Sequence, residues 1–200
     1  MMIELPTDPA PKTARFKQYD FGTTITPPTG GPDQRVNRLG NRWSCEITMP
    51  PMPNLEIGQR FISRLVRGKS EGVRMRLPMF GTALEGGGSP VLAHAPGTGR
   101  QIQVVGLNAG VTFREGQFFS IETHGRHYVY MCNTNHETTG GPSGVSTLLV
   151  SPLLRVPHLA NNAVHIETPM IEGLIEGDPD EWEVGLERNV ELVFTIKETR

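Results

Sequence analysis

The sequence predicts a mainly β protein with a single flanking α-helix. Three observations carry this. Glycine and proline are dense, at 23 and 17 of 200 residues. In a chain that also alternates apolar and polar residues, so many breakers point to short strands joined by turns and long loops. Several segments alternate with period two, as a strand with one buried face does. Only one segment shifts to a helical period.

In order along the chain, residues 1–40 hold few apolar residues and many breakers, among them Pro6, Pro9, Pro11, Pro27-Pro28 and Gly30-Gly31-Pro32. Arg15–Phe21 between them has the character of a short strand. A polar, Pro-rich arm of this length buries little of itself. It reads either as a floppy terminus or as an arm that orders against a neighbouring subunit. The alternation becomes regular at Arg42–Met49, where Trp43, Cys45, Ile47 and Met49 share one parity, and Pro50-Pro51-Met52-Pro53 ends it. A helix follows. Asn54 is placed to cap it and Glu56 lies in the first turn, where the dipole favours an anion. Leu55, Phe61, Ile62, Leu65 and Val66 fall on one face and Arg60, Arg64 and Arg67 on the other, with Gly68 as the expected left-handed terminator. Val73, Met75 and Leu77 then alternate with Arg74 and Arg76 in a strand that stops at Pro78.

Residues 79–100 are turn-rich and include Gly86-Gly87-Gly88. Short strands follow at 101–105, 117–122, 127–132 and 146–150, a spacing that suits a compact β module. The longest alternation closes the chain. Trp182, Val184, Leu186, Val190, Leu192, Phe194 and Ile196 share one parity, in one bent strand or two, with Trp43–Met49 as the natural partner. The expected organisation is an extended arm over 1–40, a discontinuous sheet-plus-helix domain over 41–99 and 159–200, and an inserted β module over 100–158.

Composition narrows the function classes. At 36% hydrophobic and 20% charged, the chain matches a folded domain rather than a disordered one. No apolar run approaches the ~20 residues that cross a bilayer, and the first residues lack a basic segment followed by an apolar one, so synthesis in a cytoplasm is the default. A formal charge of −2 with no basic stripe argues against specific nucleic-acid binding. Cys45 and Cys132 each sit in an alternating pattern, which favours two buried free thiols over a disulfide.

No catalytic frame assembles. His124-Gly125-Arg126-His127 is an H-x-x-H on a hairpin turn, but His136 or Cys132 as a third ligand gives no recognised zinc spacing. His94, His158 and His165 are scattered and read as surface residues. Gly86–Ser89 lacks the Lys-Ser/Thr of a phosphate loop, and Ser143 lacks the Gly-x-Ser-x-Gly frame of a nucleophile elbow. The acidic run Glu176–Glu181 lacks calcium-loop spacing. No metal, cofactor or catalytic residue is therefore expected, and the chain reads as a non-enzyme. Arg60, Arg64, Arg67, Arg74 and Arg76 form the one concentration of positive charge, either a solvated face or an interface with an acidic neighbour.

The order of motifs is informative. A strand with Arg42-Trp43 ends in Thr48-Met49-Pro50-Pro51-Met52, a helix runs into Leu65-Val66-Arg67-Gly68, and a strand ends at Leu77-Pro78. Later come Leu107–Gly116-Gln117-Phe118-Phe119, His127-Tyr128-Val129-Tyr130, Gly144–Pro152-Leu153-Leu154-Arg155, and a close that runs from Trp182 to Phe194-Thr195-Ile196-Lys197-Glu198. Over about residues 40–198 this resembles the distal tail proteins, minor tail proteins of siphophages and prophages. The resemblance implies a tail-tube-like β-sandwich with one flanking helix and a small inserted β-barrel-like module. It also implies a homo-oligomeric, hexameric ring in the virion that joins the tail tube protein to the baseplate hub protein. The insert would hold tail fibres or other tip proteins, and DNA would pass through the lumen. A tail tube protein is an alternative with the same plan. A carbohydrate-binding tail-tip module stacking sugars on Trp182, Tyr128 and Tyr130 is another, and a metal-dependent hydrolase on His124 and His127 is a third.

Overall fold

A computed structural model describes residues 2–79, 81, 86–134, 138–139, 144–177, 183–184 and 189–199. The protein is mainly β, with one α-helix among the described residues. Two six-stranded sheets dominate it. The first runs Ile3–Glu4, Val73–Arg76, Met170–Glu176, Val193–Glu198, Arg42–Thr48 and Thr13–Tyr19 from edge to edge. Its pairs are antiparallel except for the short Ile3–Glu4 strand, which lies parallel to Val73–Arg76.

The C-terminal alternation divides in two. Asn189–Glu191 pairs with Met52–Pro53, while Val193–Glu198 joins the first sheet and pairs with Arg42–Thr48, where Phe194 faces Ile47 and Ile196 faces Cys45. Strand Met170–Glu176, at the centre of this sheet, is one the alternation does not reveal. It buries Ile171, Glu172 and Gly173 in succession, so a charge and a glycine mask its period. Gly173 is required there, because a Cβ at that position would lie 1.9 Å from the Lys197 carbonyl oxygen.

The second sheet runs Val164–His165, Phe118–Thr123, Arg126–Cys132, Ser146–Ser151, Gln101–Leu107 and Gly88–Leu92. An antiparallel bridge between Val91 and Ala163 brings its two ends together, so the sheet is a nearly closed barrel. The Leu92 amide donates to the Asn162 carbonyl at 3.0 Å and the Asn161 amide to the Leu92 carbonyl at 2.9 Å. Such closure removes the exposed edges that invite aggregation. Barrel strands thus extend on both sides of the 100–158 interval expected for the insert. Phe119, Ile121, Tyr130, Leu148 and Val150 fill its interior. Phe118, Val129 and Met131 alternate with the interior residues and pack instead on the core of the first sheet, with Phe118 stacked on Phe16 at 4.8 Å and edge-on to Trp43 at 5.0 Å.

The helix is Gln59–Glu71, entered through a single π-helical turn at Asn54–Gly58. Phe61, Leu65 and Gly68 are its buried residues. It runs one turn beyond Gly68, because that glycine serves close packing rather than termination: a Cβ there would lie 2.2 Å from Val73 Cγ1. Gly72 ends the helix, with φ of 81° and its amide donating to the Gly68 carbonyl. Val66, placed on the core face by periodicity, is 44% exposed.

The N-terminal residues depart most from expectation. Neither a floppy terminus nor an arm ordered only by a neighbour describes them. Thr13–Tyr19 pairs along its whole length with Arg42–Thr48, and Leu5 is buried. Backbone hydrogen bonding supplies what this polar segment lacks in apolar side chains. Thr23–Ile25 and Gln34–Val36 form a hairpin whose six residues are all exposed.

Candidate functional site

The seam between the first sheet and the barrel gathers the buried charge. Glu198 has the same parity as Phe194 and Ile196, and so follows them inward. Its carboxylate accepts from the Trp43 amide at 2.8 Å and the Val129 amide at 2.7 Å, and lies 2.5 Å from Arg155 Nη2. The Arg155 guanidinium also sits over the Tyr128 ring at 5.3 Å. Burial opposes its charge, but Glu198 beside it outweighs burial and holds the group above its ordinary value. Glu172 makes a second centre, accepting from Arg74 Nε at 2.9 Å and Nη2 at 2.7 Å, and from Arg126 Nε at 3.1 Å. Each carboxylate ties a strand of the first sheet to the barrel hairpin 118–132. Paired and buried, both serve as joints between the two sheets.

Inside the barrel, His158 links Thr123 to Tyr130. Its Nδ1 is 2.6 Å from Thr123 Oγ1 and its Nε2 is 2.8 Å from the Tyr130 hydroxyl. Burial, helped by the Arg155 charge, pushes the imidazole down to about 4, so it is neutral at pH 7. Burial likewise drives the Tyr130 hydroxyl up.

A third cluster lies on the barrel face that carries Phe118 and Val129. Glu122 and His127 are direct partners on adjacent strands, and His165 is the partner of Ser120 on the strand beyond. The pleat therefore places Ser120, Glu122, His127 and His165 on one face. One ligand atom from each of Glu122, His127 and His165 lies within 4.8 Å of the others. His165 Nε2 is 3.0 Å from Glu122 Oε2, and Ser120 Oγ is 3.4 Å from His127 Nδ1. Burial first, then the neighbouring His165 and Arg74, pushes His127 down to about 4. Two imidazoles and a carboxylate from three strands can hold a transition-metal ion. Ser120 has no solvent exposure, which removes it as a nucleophile.

Several expectations change here. His165 and His158 are not scattered surface residues: His165 joins the cluster and His158 is 1% exposed. His127 takes part without His124, which is exposed at the hairpin turn with φ of 53°. Cys132 points into the barrel core and supplies no ligand, and both cysteines are buried and free. Tyr128 and Tyr130 are buried, so they offer no stacking surface to a sugar. Trp182, His136, Ser143 and most of the acidic run after Glu176 lie outside the described residues. The five arginines do not form one surface. Arg60 is exposed, Arg64 donates to the Glu4 carbonyl, Arg67 pairs with Glu71, Arg76 reaches the Glu167 carbonyl, and Arg74 is drawn into the seam by Glu172.

The buried carboxylates and His165 share one reason for being missed. Strand pairing brought them together across long sequence separations, and no spacing marks that. Parity alone could have flagged Glu198.

No protein-family model matches the chain, and no curated protein does.

Proposed function

We propose that this chain is a non-enzymatic structural protein of a virion, a distal tail subunit. It assembles in the host cytoplasm into a hexameric ring at the tail tip, between tail tube protein and baseplate hub protein. In this reading the first sheet and helix form the tube-like sandwich part of the ring. The barrel is turned outward to hold tail fibres or other tip proteins, and DNA crosses the lumen without specific contacts.

The observation that carries the proposal is the hairpin Thr23–Ile25/Gln34–Val36. Ile25 is 51% and Val36 36% exposed, and the flanking Phe21 and Leu39 are 44% and 37% exposed. Exposed apolar side chains on a two-stranded ribbon, with the open edge of Thr13–Tyr19 beside it, suit a surface that another copy covers. The order of motifs across residues 40–198 adds the particular family.

Electron microscopy of the purified protein, with sedimentation over a range of concentrations, tests the reading. Closed rings with a central channel are expected. A species that stays monomeric at high concentration would overturn it. Long tubes in place of single rings would transfer the chain to the tail tube.

A further inference from the structure

We infer that Glu122, His127 and His165 form a binding site for a single divalent zinc-class cation, which pins the barrel's closing strand to its central hairpin. The donor set is two imidazole nitrogens and one carboxylate oxygen, borderline ligands of the kind zinc takes, with a fourth position left for water or another ligand. The three atoms lie within 4.8 Å of one another. Tetrahedral coordination with bonds of about 2.0–2.1 Å needs donors roughly 3.3 Å apart. His165 Nε2 and Glu122 Oε2 are already 3.0 Å apart, so small side-chain rotations complete the triangle.

A second observation points the same way. His127 is 7% exposed, and its Nδ1 is engaged by Ser120 Oγ, which itself accepts from the Met170 amide at 3.0 Å. That contact orients the ring, as outer partners of ligating histidines do. It leaves Nε2 as the ring nitrogen available to a ligand. Nearby positive charge does not forbid a cation, because Arg74 and Arg126 are both paired to Glu172.

The location gives the ion a purpose. Val164–His165 pairs with Phe118–Thr123 through only two residue pairs, and it leads directly from the barrel into strand Met170–Glu176 of the first sheet. A cation bound at His165 would fix this exit and hold the barrel's orientation. The inference stands whether or not the protein forms rings.

The test uses tag-free full-length protein stripped with chelator and then titrated with zinc chloride. Calorimetry should give one zinc per chain, and the thermal midpoint should rise by several degrees. Cobalt substituted for zinc should give the intense visible absorption of a tetrahedral site. His165→Ala and Glu122→Gln should each weaken zinc at least tenfold and abolish the thermal shift, while His124→Ala should leave both unchanged. Circular dichroism checks each fold. If His165→Ala unfolds, Glu122→Gln, at a half-exposed position, decides alone. Substoichiometric zinc on folded wild-type protein would overturn the site, as would zinc binding that survives Glu122→Gln undiminished.

Discussion

The Arg155 guanidinium lies 2.5 Å from the Glu198 carboxylate, with their side chains 2% and 0% exposed. The same carboxylate takes the amides of Trp43 and Val129, so one buried group ties the first sheet, the barrel and the segment that follows Ser151. Removing one partner of such a pair strands a charge in low dielectric, which costs about 3–5 kcal/mol. Glu198→Ala should lose that much, and Glu198→Gln less because its oxygen still accepts one amide. Joint replacement by Arg155→Met and Glu198→Gln should recover part of the loss. Urea midpoints of the four proteins check this.

His158 makes stability depend on pH. Its folded value of about 4 lies below the ordinary 6.5, so on acidification the unfolded chain takes the proton first. Its contribution is whole above pH 6.5 and is lost as pH falls toward 4, up to about 3 kcal/mol. Burial and the Arg155 charge both work against a charged ring, and its direct partners, Thr123 and Tyr130, are neutral hydroxyls rather than carboxylates. Denaturation midpoints in chelator between pH 7 and 4.5 should fall for the wild type and fall less steeply for His158→Gln.

Gly173 should tolerate no side chain. An added Cβ would meet the backbone of Lys197 at 1.9 Å and 2.5 Å, with no flexible group to yield. Gly173→Ala should destabilise the first sheet by about 3 kcal/mol or more, read as a lowered thermal midpoint. Gly97→Ala, where nothing lies within 4 Å of the added carbon, should change little.

The exposed hairpin separates folding from assembly. Ile25→Asp with Val36→Ser touches no core residue, so monomer stability should move by no more than about 0.5 kcal/mol. Ring formation should weaken at least tenfold, measured by sedimentation. Unchanged assembly would remove the hairpin as the contact between copies.

The thiols should be silent in the native state. Burial, with Glu46 adding to it, pushes Cys45 up to about 12, and Cys132 is fully buried. A thiol-reactive dye should label neither at pH 8 until denaturant is added, and then both. Rapid labelling of the folded protein would contradict their placement.

Much of the architecture is written in local pattern. The alternation of Trp43, Cys45, Ile47 and Met49, the helical face of Phe61 and Leu65, and the turn-separated strands up to Val150 depend on residues close in sequence. Burial of one face is enough to dictate them. The pairing of Val193–Glu198 with Arg42–Thr48 was legible too, because two strong alternating strands need each other. Other features had no local signature. Glu172 and Gly173 hide the central strand, since a buried charge and a missing side chain are tolerable only where Arg74, Arg126 and the Lys197 backbone meet them. A short strand was legible at Arg15–Phe21, but the pairing of Thr13–Tyr19 along the whole of Arg42–Thr48 was not. Glu122, His127 and His165 became a cluster only when barrel closure laid Val164–His165 beside Phe118–Thr123. Local sequence determined the helix and the strands that alternate cleanly, because period and breakers act over a few residues. Which polar groups meet was decided by strand order and register, which the tertiary structure alone sets.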